Sequence, residues 1–141
     1  MAKAKRLRGK DLTAALITAK FEDDERKIWE ETFGKDLLQG QRAYQKLALR
    51  LFEYHCNSRS VFKTTAAKLL PAQHSVTALK YLDEAEKRGW VTFIPDDIDG
   101  RKIHVVPTDT FLELTRTYLR ALTSLLSKRV QELKQLEDPP P

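Results

Sequence analysis

Residues 60–107 read SVFKTTAAKLL, PAQH, SVTALKYLDEAEKRG and WVTFIPDDIDGRKIHVVP, and this stretch decides the fold. The first segment predicts a short helix over Thr65–Leu70, with Thr64 or Thr65 as N-cap and Ala66, Leu69 and Leu70 as its buried side. Pro71 stops it, because proline cannot continue a helix interior. Only Pro71 to His74 separate it from the next helical pattern, a connection of the length helix-turn-helix units use. On that second helix, a step of about 100° per residue places Ala78, Tyr81, Leu82 and Ala85 on one seam. Thr77, Lys80, Asp83, Glu84 and Lys87 fall on the opposite half, Val76 points outward and Leu79 lies at the edge. Gly89 closes the helix as a left-handed cap behind Lys87 and Arg88. Trp90–Ile94 and Ile103–Val106 have strand composition, and Pro95–Gly100 between them is turn chemistry, so the pair predicts an antiparallel hairpin that Pro107 ends. Two helices in a tight turn followed by a hairpin make a winged helix-turn-helix, a mainly α fold with a small β-hairpin wing.

The flanks extend this unit. Residues 41–56, QRAYQKLALRLFEYHC, place Tyr44, Leu47, Ala48, Leu51, Phe52 and His55 on one core-facing stripe, the first helix of a domain spanning 41–108. Upstream, residues 11–40 predict two N-terminal helices. One covers 11–21; the other starts at Asp23 or Asp24, carries Ile28, Trp29 and Phe33 on its apolar face and stops at Gly34. Residues 1–10 hold Lys3, Lys5, Arg6, Arg8 and Lys10 with no acid, which predicts a disordered basic arm, either a solvated tail or a contact to phosphate or the minor groove. Downstream, Thr108 or Asp109 caps a helix over residues 109–136. Its leucines Leu112, Leu119, Leu126 and Leu133 recur every seven residues, with Leu122 between and Thr115 and Arg129 as interruptions. A helix of about 28 residues extends about 40 Å, longer than one small core requires, and these leucines are read as a dimerisation seam. Residues 137–141 are a tail.

Lys and Arg total 25 against 20 Asp and Glu, and 41% of residues are apolar. The charge suits a polyanionic partner without demanding one. One cysteine, Cys56, excludes an internal disulfide and a Cys-rich zinc site, and it is expected to be a buried structural thiol. No metal spacing links His55, His74 and His104. No nucleophile–base set, phosphate loop or carboxylate pair stands out, so neither an enzyme nor a cofactor is expected. No apolar run reaches the roughly 20 residues of a membrane span, and no signal-peptide core follows the basic start, which points to the cytoplasm and no membrane.

The block from Leu69 to Phe111 resembles the MarR family of winged-helix transcription regulators. DEAEKRGWV at Asp83–Val91 is similar to the family's LEKRGLV-like run. Asp96-Asp97-Ile98-Asp99-Gly100-Arg101 is similar to its D-x-R-D-x-R wing, with Ile98 where the family has its first arginine. Pro107-Thr108 opens the long helix as a Leu-Thr-Pro-like entry does there, while the glycine that often follows the wing is absent. The resemblance implies that Arg101 enters a minor groove and that Asp99 braces the wing. It also implies that a small-molecule effector is possible, though no residue set names one.

On the recognition helix and its entry, Gln73, His74, Val76, Thr77 and Lys80 are the candidate base contacts: Gln suits adenine, Lys guanine, and Thr or Val a thymine methyl. Arg59, Lys63, Lys68 and Lys102 are candidate phosphate contacts, which position a protein without reading sequence. The leading expectation is a homodimeric regulator binding double-stranded DNA sequence-specifically. A winged helix of plasmid or phage replication, partition or chromatin architecture is a second reading. A winged helix used for protein–protein assembly is a third, prompted by the acids at Asp83, Glu84, Asp96, Asp97 and Asp99.

Overall fold

A computed structural model of the chain describes residues 2–35, 41–70 and 75–137. In order the elements are α1 (Ala2–Phe33), α2 (Gln41–Cys56), β1 (Val61–Phe62), α3 (Lys63–Leu69), α4 (Ser75–Lys87), β2 (Val91–Pro95), β3 (Ile103–Pro107) and α5 (Asp109–Glu137). The fold is therefore mainly helical with a small antiparallel sheet and a long C-terminal helix. The chain divides into two compact units: residues 33–117, and residues 1–32 together with 118–141. That division differs from the 41–108 and 109–136 partition expected from sequence, because α5 runs uninterrupted through both units.

The 33–117 unit is built on aromatic contacts. Trp90 stacks on Phe111 at 5.3 Å and meets Phe33 and Tyr44 edge-on at 5.6 and 5.5 Å. Tyr44 donates its hydroxyl to the Tyr81 carbonyl at 3.3 Å, and burial pushes its phenol up to about 12. Leu47, Ala48 and Leu51 continue the buried stripe of α2, whereas Phe52 is half-buried. His55, expected on that stripe, is exposed in the last turn, where the core no longer covers the helix. Cys56 is exposed as well, which corrects the expectation of a buried thiol. Just past the end of α2, Ser58 is a left-handed residue (φ 54°), and the Arg59 N–H bonds to the Tyr54 carbonyl at 2.8 Å.

The sheet has three strands in the order β1-β3-β2, all antiparallel. β1 is an addition to the expected hairpin: two residues carry no readable period, and only pairing with His104 and Val105 of β3 defines them. Because β1 hands the chain directly to α3, that helix starts at Lys63 rather than Thr65, and its N-cap is Phe62 with no side-chain bond. β2 lies one residue later than expected, with Val91 paired to Pro107 and Pro95 to Ile103. Trp90 is thereby left in the core just before the strand. Thr108 caps α5: its hydroxyl oxygen accepts the Phe111 N–H at 3.2 Å and its hydroxyl donates to the Gly89 carbonyl at 2.6 Å.

In the other unit, side chains of α1 meet side chains of α5. Trp29 meets Tyr118 edge-on at 5.3 Å, Tyr118 donates its hydroxyl to Glu25 at 2.6 Å, and Arg129 bridges Asp24 at 2.8 Å and Glu132 at 2.7 Å. Arg129, read from sequence as an interruption of an apolar stripe, is a buried cation with two carboxylate partners. It holds the Asp24 carboxyl below its ordinary range. α1 is one helix where a disordered arm and two separate helices were expected. No proline lies in it, Gly9 is its one glycine, and Asp24 binds Arg129 instead of capping a helix start. Gly34 (φ 101°) follows its end as a left-handed stop.

Candidate nucleic-acid interface

α4 presents two faces of opposite character. Ala78, Tyr81, Leu82 and Ala85 are buried, as the angular reading required. On the outward side Val76 is 64% exposed, Leu79 and Lys80 are exposed and Thr77 is half-buried. A valine this exposed on a helix face is one a partner surface can use. Gln73 and His74 lie outside the described residues. The two acids on the outward half are neutralised locally: Asp83 pairs with Lys63 at 3.8 Å, and Glu84 with Arg88 at 3.2 Å.

The basic residues divide by how they are held. The Lys63 ammonium lies 4.1 Å from the Phe93 ring centre as well as beside Asp83, so this side chain joins α3, α4 and β2. Lys68 is exposed on α3. Arg59 is exposed after α2 and lines an open cleft of about 360 Å³ together with Lys46, Arg50, Glu53 and Tyr54, in which Arg50 pairs with Glu53 at 2.8 Å. Lys102 is exposed on the wing with its ammonium 5.4 Å from the Phe62 ring centre.

The wing loop is ordered by its carboxylates. One Asp96 oxygen accepts the N–H groups of Ile98 and Asp99 at 3.1 and 3.0 Å, and the other meets His104 Nε2 at 2.7 Å. The Asp96 N–H bonds to the Lys102 carbonyl at 2.8 Å, and the Lys102 N–H to the Asp99 carbonyl at 2.9 Å. Asp99 in turn accepts the Arg101 N–H at 3.1 Å and its Nε at 3.3 Å. The Arg101 side chain is nonetheless 93% exposed, with its guanidinium held to Asp99 through Nε. Hydrogen bonds from the Asp99 N–H and from His104 hold the Asp96 carboxyl below its ordinary range. The sequence pattern pointed to Asp99 and Arg101; it did not single out Asp96 and His104, which are eight residues apart and meet only because the hairpin register brings them together.

The leucines of α5 differ in setting. Leu112 is only 8% exposed, packed within its own unit, so that position has no free surface. Leu119, Leu122 and Leu133 are half-buried, while Leu126 and Val130 are exposed. Among the described residues no group of three or more His, Cys, Asp and Glu side chains is placed to hold a metal, and no helix is long and apolar enough to cross a membrane.

No family model and no curated protein matches the chain. Solved structures do. The YusO protein from Bacillus subtilis superimposes with a TM-score of 0.68 at 12% identity, covering 90% of this chain and 82% of that one. Sco3205, a MarR family transcriptional regulator from Streptomyces coelicolor solved in complex with DNA, gives a TM-score of 0.60 at 20% identity, covering 94% and 79%. The heme sensor protein PefR from Streptococcus agalactiae, in complex with heme, gives 0.59 at 15% identity, covering 87% and 85%. The chain has the winged-helix fold of MarR-type regulators, as the resemblance in its sequence implied.

Proposed function

We propose that the protein is a homodimeric transcriptional regulator that binds double-stranded DNA sequence-specifically, with α4 in the major groove and Arg101 of the wing in the minor groove. The observation that carries this reading is the outward face of α4: Val76, Leu79 and Lys80 are exposed and Thr77 half-exposed, with the neighbouring acids already paired. Val76 is suited to a thymine methyl and Lys80 to guanine O6 and N7. Arg101 offers a guanidinium to the negative potential of a narrow minor groove. Lys68, Arg59 and Lys102 remain available for phosphates, whereas Lys63 serves the fold first. Asp83 and Glu84, two of the five acids that prompted an assembly role, are paired within the chain, which lessens their opposition to a phosphate backbone.

The partner copy would be held by the 1–32 and 118–141 unit, where Leu12, Leu16, Leu126 and Val130 are exposed apolar residues and Leu119, Leu122 and Leu133 are half-covered. Two heads joined this way would meet half-sites about one helical turn apart. Genome-wide footprinting with the purified protein tests this directly. The expected result is protected sites with dyad symmetry and that spacing, lost in the Lys80→Ala, Val76→Ser double variant. Sites without symmetry would remove the dimer, and no protection at about 50 mM salt, where electrostatic affinity is high, would remove DNA binding altogether. A small-molecule effector is compatible with this arrangement, and heme is what PefR carries.

A further inference from the structure

We propose that His104 is a positioning residue for DNA binding, acting through Asp96 and Asp99 to set where Arg101 enters the groove. The proposal rests on the reading that Arg101 contacts DNA.

His104 sits on β3, the central strand, opposite Phe62 of β1 and Ile94 of β2. Its ring lies 4.7 Å from the Phe62 ring, tilted by 38°, and this fixes its direction. Nε2 reaches Asp96 across the base of the wing at 2.7 Å. A carboxylate only accepts hydrogen bonds, so Nε2 carries the proton. Nδ1 is buried and, among the described residues, has no hydrogen-bond partner. The imidazole is thus committed to one bond, and that bond points out of the sheet into the loop.

From there the bonds run in series. With one oxygen held by His104, Asp96 uses the other for the N–H groups of Ile98 and Asp99. That fixes the backbone at Asp99, whose own carboxylate accepts the Arg101 N–H and Nε. The object being positioned lies outside the core: Ile98 is 97% exposed and the Arg101 side chain nearly so. A clasp built only to stabilise the sheet has no reason to order residues that bury nothing. A clasp that presents a guanidinium in one orientation does, because an ordered contact loses less conformational freedom on binding.

The test is a set of variants titrated onto a fluorescein-labelled duplex of about 30 base pairs carrying an A-tract, at about 50 mM salt. His104→Phe keeps a ring against Phe62 and removes the donor; it should weaken binding about fivefold. His104→Gln restores a donor to Asp96 and should bind within about twofold of the unmodified protein. In an Arg101→Ala background, His104→Phe should change affinity by less than about twofold, because the group it positions is gone. Without DNA, amide exchange at Ile98 and Asp99 should quicken in His104→Phe and not in His104→Gln. Should His104→Phe fail to fold, Asp96→Ala breaks the same relay from the loop side and should weaken binding at least as much. If the fold persists and His104→Phe binds as tightly as the unmodified protein, or loses as much without Arg101 as with it, His104 has no positioning role. If Arg101→Ala alone leaves affinity unchanged, the wing reading fails and the positioning role fails with it.

Discussion

Replacing Trp90 by alanine should destabilise the 33–117 unit by about 3–5 kcal/mol. Trp90 is buried, in contact with the rings of Phe33, Tyr44 and Phe111, and the Arg88 guanidinium lies 5.4 Å from its ring centre. Its backbone bonds, from its N–H to the Ala85 carbonyl and from the Thr108 N–H to its own carbonyl, survive the substitution. The loss therefore belongs to the side chain. An indole buries roughly 150–250 Å², which at about 25 cal/mol per Å² amounts to about 4–6 kcal/mol as an upper bound. Measured aromatic-to-alanine losses of about 3–5 kcal/mol agree. Set against a total stability of about 5–15 kcal/mol for a protein, that removes most of the margin at the low end of the range and up to about a third at the high end. Trp90→Phe keeps an aromatic ring in the cluster and should cost about 1–2 kcal/mol. Guanidinium unfolding followed by circular dichroism measures both. Trp29, the other tryptophan, is in the other unit, so its fluorescence in Trp90→Phe follows that unit alone. A Trp90→Ala protein within about 1 kcal/mol of the original would refute the argument that this residue is the centre of the core.

Further outcomes can be measured on the same protein. Ser58→Gly relieves a left-handed non-glycine residue at the end of α2 and should raise stability by about 0.5–1 kcal/mol; a lower melting temperature would show that Ser58 is not strained. The depressed Asp96 carboxyl implies that the wing is held while it is ionised: its contribution is fully present above the ordinary aspartate value of about 3.9 and is lost as pH falls through the lower folded value. A carbon-detected titration of Asp96 with a midpoint at or above 3.9 would contradict that sign. Cys56, being exposed, should react with a maleimide in the native state without prior unfolding; protection until denaturant is added would place it in an interface.

The helix α4 was legible because its information is local. Four apolar residues at helical spacing, a terminal glycine and an upstream proline fix its seam and ends without reference to the rest of the chain. The wing carboxylates were half legible: Asp99 and Arg101 are neighbours in a familiar pattern, but His104 acquires its meaning only from the register that sets it beside Asp96. β1 was illegible for the same reason, since two residues become a strand only through their partner. α1 shows the opposite error. Asp23 and Asp24 look like a helix start, and nothing local reveals that Asp24 is drawn instead to Arg129, 105 residues away. His55 is exposed though it lies on the predicted stripe, and Leu112 is covered within its own unit, because periodicity names a face and cannot say where along a helix a neighbour stops or which neighbour covers it.

Thr108 joins three elements at one point, bonding to Gly89 at the end of α4, to Trp90 ahead of β2, and to Phe111 in the first turn of α5. The chain between Trp90 and Thr108 must close for this to happen, and the zipped β2–β3 ladder closes it already. Closing a free loop of that length would otherwise cost about 2–3 kcal/mol of chain entropy. The start of α5 is consequently insulated from whatever lies beyond the last ladder pair, Pro95 with Ile103. A change at the wing tip therefore alters how that loop presents its side chains without shifting the long helix, so the two can be altered independently.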